Sequence, residues 1–196
     1  MKKDFDVQLR YDTPPQWVET VLADFDKFLQ DHADCERKAS AMAMSIIYKA
    51  PDRKEIIPEL IETALEEMVH FRQVYRIMEE RNVQLPHENE KDPYIKQLLS
   101  NLRGNSAHRY LDRLLLASLV EFRGAERFRL VAEALEEGEL KEFYTMLYKS
   151  EGKHGNIFID MALNYYDEKE VFDRFDELLD IEGKIVEGLP YRAALH

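Results

Sequence analysis

Apolar residues recur every three to four positions along most of this chain, the period of helices with one buried face. From Trp17 to about residue 48, Phe25, Phe28, Leu29, Ala39, Ala43, Ile46 and Ile47 keep these steps. Pro14 and Pro15 precede the run, where proline suits a first helical turn. One helix with a kink is predicted there, and His32 and Glu36 fall on its apolar stripe. After KAPDRKE, a second helix is predicted over 56–81. Ile57, Leu60, Ile61, Ala64, Phe71, Val74 and Met78 form its inner face, with Glu67 in the series and His70 at its edge.

NVQLPHENEKDP then breaks the pattern, with Pro86 and Pro93 as punctuation. A short helix over YIKQLLSNL should end by Gly104. A third long helix is predicted over 106–137, ending at Gly138, with Leu111, Leu114, Leu115, Ser118, Ala125 and Phe128 on one face and Glu121 among them. A fourth spans 139–166 on a stripe of Leu140, Phe143, Leu147, Ile157, Phe158 and Met161, and carries Glu151 and His154. A last amphipathic helix covers 168–186. Four long helices with one long connection in the middle fit an all-α, antiparallel four-helix bundle with one long crossover and extra short helices. The expectation is one domain over residues 1–196.

Charged residues on buried stripes need a reason, because a carboxylate in an apolar interior is costly unless it is paired. Glu36 stands on the first helix, and Glu67 and His70 on the second. Glu121 stands on the third, and Glu151 and His154 on the fourth. The step from Glu36 to Glu67 is 31 residues and that from Glu121 to Glu151 is 30. The chain thus repeats a unit, a Glu helix followed by a Glu-x-x-His helix. Residues three apart on a helix share a face and can reach one metal ion. Two Glu helices and two Glu-x-x-His helices are the ligand set of ferritin-like di-iron and di-manganese proteins. Four carboxylates balance two divalent ions, and oxygen-rich ligation with imidazole suits iron, with manganese possible. Glu126, on the same helix as Glu121, is the competing carboxylate. Glu121 is preferred because its distance to Glu151 mirrors the first half. For outer support of the metal-binding histidines, Glu66 and Ser150, one residue before each Glu-x-x-His, are candidates. His32, one turn before Glu36, is a candidate to line the pocket around the metals, with a core histidine as the alternative reading.

Composition narrows the function further. With 45% hydrophobic and 34% charged residues, the chain has the balance of a soluble globular protein. A net charge of -12 argues against nucleic-acid binding through bulk electrostatics, though not against a local basic patch. Candidates for such a patch are Lys49, Arg53 and Lys54 in the first connection, and Arg103, Arg109, Arg113, Arg123, Arg127 and Arg129 near or on the third helix. Cys35 is the single cysteine, which leaves no Cys-based iron or zinc site. The N-terminal stretch lacks the apolar segment of a signal peptide, and no run reaches the roughly 18 apolar residues of a membrane span. No membrane association and a cytoplasmic location are expected.

Four stretches go beyond generic spacing: DHADCERKAS (31–40), LEEMVHFRQV (65–74), DRLLLASLVEFRGAERF (112–128) and FYTMLYKSEGKHGNIFIDMA (143–162). They resemble the MiaE family of tRNA hydroxylases, from about Trp17 to Ala162. The resemblance implies a non-haem di-iron monooxygenase that hydroxylates the isopentenyl side chain of methylthio-isopentenyl-adenosine at tRNA position 37. It implies two iron ions held by Glu36, Glu67, His70, Glu121, Glu151 and His154, with Glu67 and Glu151 as bridging carboxylates. It also implies the tRNA anticodon loop as partner, O2 as oxidant and electrons from an external reductase, in a monomer or small oligomer. The rival functions are a ferritin-like ferroxidase or iron store, a rubrerythrin-like peroxidase, and a di-iron oxidase acting on a small molecule such as a free nucleoside.

Overall fold

The structure, a computed structural model, describes residues 5–86, 92–104 and 106–196. Residues 1–4 of the N-terminal stretch and 87–91 of the middle connection lie outside the described residues. Seven helices and no strand occur among the described residues: α1 (Pro15–Ala23), α2 (Phe25–Lys49), α3 (Ile57–Glu80), α4 (Pro93–Leu99), α5 (Ser106–Ala134), α6 (Glu139–Leu163) and α7 (Glu168–Gly188). The long predicted helices are present within a few residues of their expected ends. None of the described helices is long and apolar enough to cross a membrane.

The predicted helix over 17–48 is divided rather than kinked. At Asp24 the backbone leaves helical geometry, with φ -140° and ψ 62°, and its carboxylate accepts the Lys27 N–H at 3.3 Å. A local N-cap thus restarts the helix inside a continuous apolar pattern.

The chain forms two compact units, one of residues 19–90 and 192–195, the other of residues 1–18, 91–191 and 196. In the first, α2 packs on α3, and Phe28, Leu29, Ala33, Ala43, Ile46, Leu60, Ala64, Val74 and Met78 are buried. Ile61, expected on the inner face of α3, is instead 41% exposed. It stands one residue, or about 100°, past Leu60, so the buried stripe of Leu60, Ala64, Glu67, His70, Val74 and Met78 passes it by. Helix α3 closes with a Schellman turn. The Val83 N–H donates to Met78 O at 2.8 Å and the Asn82 N–H to Glu79 O at 3.1 Å. Asn82 adopts φ 57°, a left-handed conformation that asparagine tolerates.

In the second unit, α5 packs on α6, and α7 rests against α4, α5 and α6. Leu111, Leu114, Leu115, Leu119, Phe128, Val131, Tyr144, Leu147, Phe158 and Met161 are buried there. Gly155 of α6 faces the Phe122 ring of α5. A Cβ at this position would lie 2.8 Å from the Phe122 ring, so only a glycine leaves that ring its place. Between α5 and α7 lies a polar core. The Arg123 guanidinium donates to both oxygens of Glu182, at 2.7 and 2.9 Å, and to Glu126 at 3.2 Å. The Tyr94 hydroxyl donates to Glu182 at 3.2 Å.

Candidate metal centre

The first half of the candidate centre is built on α2 and α3. The Ser40 hydroxyl, one turn after Glu36, donates to the Ala64 carbonyl at 2.9 Å, and Ala64 stands three residues before Glu67. That bond fixes the helices side by side at the level of their functional residues. Glu36, Glu67 and His70 are all buried, each with a ligand atom within 4.8 Å of the others'. His70 turns Nδ1 toward both carboxylates, 3.4 Å from Glu67 Oε2 and 3.6 Å from Glu36 Oε2. His70, expected at the edge of the stripe, lies within it.

The second half is built on α5 and α6. Glu121, Glu151 and His154 are buried and bring their ligand atoms within the same 4.8 Å of one another. His154 Nδ1 faces Glu151 Oε2 at 3.2 Å, repeating the geometry of His70 and Glu67. Glu126, the competing carboxylate, turns elsewhere. It accepts from the Thr13 N–H at 2.9 Å, from the Thr13 hydroxyl at 2.7 Å and from Arg123.

Each half thus gathers two carboxylates and an imidazole where water is scarce. Carboxylates there carry a large desolvation cost that a divalent cation removes. Carboxylate with imidazole is a donor set for hard or borderline metals. The residues present fit a metal ion in each half.

The outer candidates fare differently. Glu66 is exposed and Ser150 half-buried, each one helical residue off the inward stripe. His32 is fully buried, and its Nε2 stands 2.7 Å from Glu36 Oε1. Of the basic residues considered for RNA contact, Arg123 and Arg127 are buried and unavailable to a phosphate. Burial alone pulls the Arg123 guanidinium down, but the bonds and charge of Glu182 outweigh it and hold it above its ordinary value. Arg127 lies over the Trp17 ring at 5.0 Å, and burial, with Arg123 adding repulsion, lowers it to about 10. Arg103 is committed to Asp112, 2.7 Å away, and Arg129 pairs with Glu133 at 2.7 Å. Arg109, Lys49 and Lys54 are exposed, and Arg113 and Arg53 half-buried. Sequence reasoning missed the Arg123–Glu182 pair. Its signal was a charge on the buried stripe of each of α5 and α7.

Comparison with known proteins identifies the fold and the family. A solved structure, Protein 43 with aldehyde deformylating oxygenase activity from Synechococcus, superposes with a TM-score of 0.89 at 30% identity, covering 95% of this chain and 93% of that one. The fold is all-α and ferritin-like. The tRNA 2-(methylsulfanyl)-N(6)-isopentenyladenosine(37) hydroxylase of Pseudomonas putida is 35% identical over 168 residues, 86% of this chain and 81% of the relative. The hydroxylase of the same name from Salmonella typhimurium is 30% identical over 113 residues, 57% of this chain and 41% of that protein. The family model described as tRNA-(MS[2]IO[6]A)-hydroxylase (MiaE) matches residues 2–196, and the chain belongs to the MiaE family.

Proposed function

We propose that this protein is a monooxygenase that hydroxylates the isopentenyl side chain of 2-methylthio-isopentenyl-adenosine at position 37 of tRNA. The observation that carries the reading is the pair of buried clusters, each with two glutamates and a histidine, in a chain of the MiaE family. In this reading the two units act as one domain. Glu36, Glu67 and His70 would hold one iron, and Glu121, Glu151 and His154 the other, with Glu67 and Glu151 as the candidates for shared carboxylates. Manganese is the alternative metal. When bound, the iron pair activates O2 for insertion into a C–H bond. The four carboxylates neutralise two ferrous ions, and the two Nδ1 atoms offer lone pairs only while the imidazoles are neutral. Burial of all six residues keeps water from competing with the substrate for the oxidant.

The balance is substrate C–H, O2, two electrons and two protons giving the alcohol and one water. The electrons come from an external reductase, since Cys35 alone builds no iron–sulfur centre. The partner is the anticodon loop of tRNA, whose bases need little opening, and the location is the cytoplasm. A second reading keeps the centre but makes the substrate a small molecule. The net charge of -12 favours it.

The test is mass spectrometry of nucleosides from tRNA carrying the prenylated, methylthiolated adenosine, after incubation with iron-loaded protein, reductant and O2. One added oxygen on that nucleoside, absent with Glu67→Ala, is expected. Glu67→Ala and Glu151→Ala should each lose metal and nearly all activity while remaining helical by circular dichroism. An occupied, reducible centre that leaves the nucleoside unchanged would overturn the tRNA reading in favour of the small-molecule one.

A further inference from the structure

We propose that His32 is a positioning residue that fixes Glu36 as a ligand of the α2–α3 metal position. The inference rests on the two-metal reading above. His32 lies one turn before Glu36 on α2, is fully buried, and packs against the Phe28 ring with centroids 5.9 Å apart. Its Nε2 meets Glu36 Oε1 at 2.7 Å. A ligand carboxylate has no proton to give, so Nε2–H is the donor. This contact divides the labour between the two oxygens of Glu36. Oε1 is held by His32, and Oε2 is turned toward His70 Nδ1.

The second half lacks this device. Four residues before Glu121 stands Ala117, also buried, whose methyl group cannot hydrogen-bond. The halves match in ligand type and spacing, yet only one carboxylate is tethered from the preceding turn by an imidazole. A tethered ligand loses less freedom on binding and keeps one oxygen presented. His32 therefore strengthens the α2–α3 position through its hold on Glu36.

The test uses the full chain and Mn(II) alone, titrated anaerobically and followed by electron paramagnetic resonance of free and bound ion. Wild type should bind two ions. His32→Ala should weaken one of the two sites about 10- to 100-fold, the usual cost of removing an outer partner of a metal ligand. The other site should be unmoved. His32→Gln, which keeps an N–H donor, should recover most of the loss. Thermal melting of all three proteins separates this effect from a packing defect. Unchanged affinities in His32→Ala overturn the inference, and so does an equal weakening of both sites that Gln does not relieve. Fewer than two sites in wild type overturn the two-metal reading itself, a failure distinguishable from the other two.

Discussion

The α2–α3 pair and the α5–α6 pair place the same ligand types at the same spacing, but their surroundings differ position by position. Two residues after Glu36 stands Lys38, half-exposed and paired with Asp34 on its own helix. Two residues after Glu121 stands Arg123, wholly buried and clamped to Glu182 of α7. Directly after Glu36 comes Arg37, exposed, and directly after His70 comes Phe71. The corresponding residues of the other pair are Phe122 and Gly155, where the ring fills the space a side chain on the glycine would need. Chemistry constrains only the inward face of each helix. The outward faces have been fitted to their own unit, one to solvent and one to a further helix. The largest predicted effects therefore lie outside the ligands, where the two halves differ most.

Replacing Arg123 by Met should cost about 3–5 kcal/mol, because it leaves Glu182 charged, buried and without its guanidinium. Lys38→Met, at the matching position, should stay within about 1 kcal/mol, the range of an exposed ion pair. Urea unfolding of both variants measures the contrast. The double variant Arg123→Met with Glu182→Leu should regain much of the loss, since an apolar pair of similar volume often replaces a buried ion pair without penalty. Comparable losses in the two single variants would show that burial is not what distinguishes the halves.

That contrast also marks where the sequence was legible. Helix positions followed from periodicity. The six candidate metal residues followed from acid and imidazole on apolar stripes, a placement that few other roles explain. Arg123 and Arg127 carried the same signal, but an arginine is usually solvated, and a tRNA substrate offered a ready use for a surface cation. The partner that would have changed the reading, Glu182, lies 59 residues away on another helix, and sequence spacing does not pair residues across helices. The break at Asp24 was hidden for the opposite reason. It is made by one local hydrogen bond, while the apolar run around it continues unbroken. The tether from His32 to Glu36 was visible as a four-residue step, although a step alone does not say whether a buried histidine packs or bonds.

A smaller effect is expected where α5 and α6 touch. Gly155→Leu should cost about 1–3 kcal/mol, as overpacking of a filled interface does. Phe122 is only partly buried, so its ring has room to swing aside, which places the loss toward the lower end. Adding Phe122→Ala should restore most of it by vacating the space. The double variant in effect gives the second pair a side chain where the first carries Phe71. A double variant no better than Gly155→Leu alone would mean that the glycine is required by backbone packing rather than by the ring.

The smallest contrast lies at the helix starts. Helix α2 begins on Asp24, whose carboxylate caps the Lys27 N–H, whereas α6 begins on Gly138 with no side-chain cap. Asp24→Ala should therefore lose about 1 kcal/mol, the usual worth of such a cap. The reverse exchange should not gain it. Gly138 sits at φ 149° and ψ -176°, a region open to glycine and strained for other residues by about 1–3 kcal/mol. Gly138→Asp sets a new cap against that strain and should leave the urea midpoint unchanged or lower it. A raised midpoint would show that the α6 start relaxes to accept a side chain, and that the two helix starts differ in sequence but not in backbone constraint.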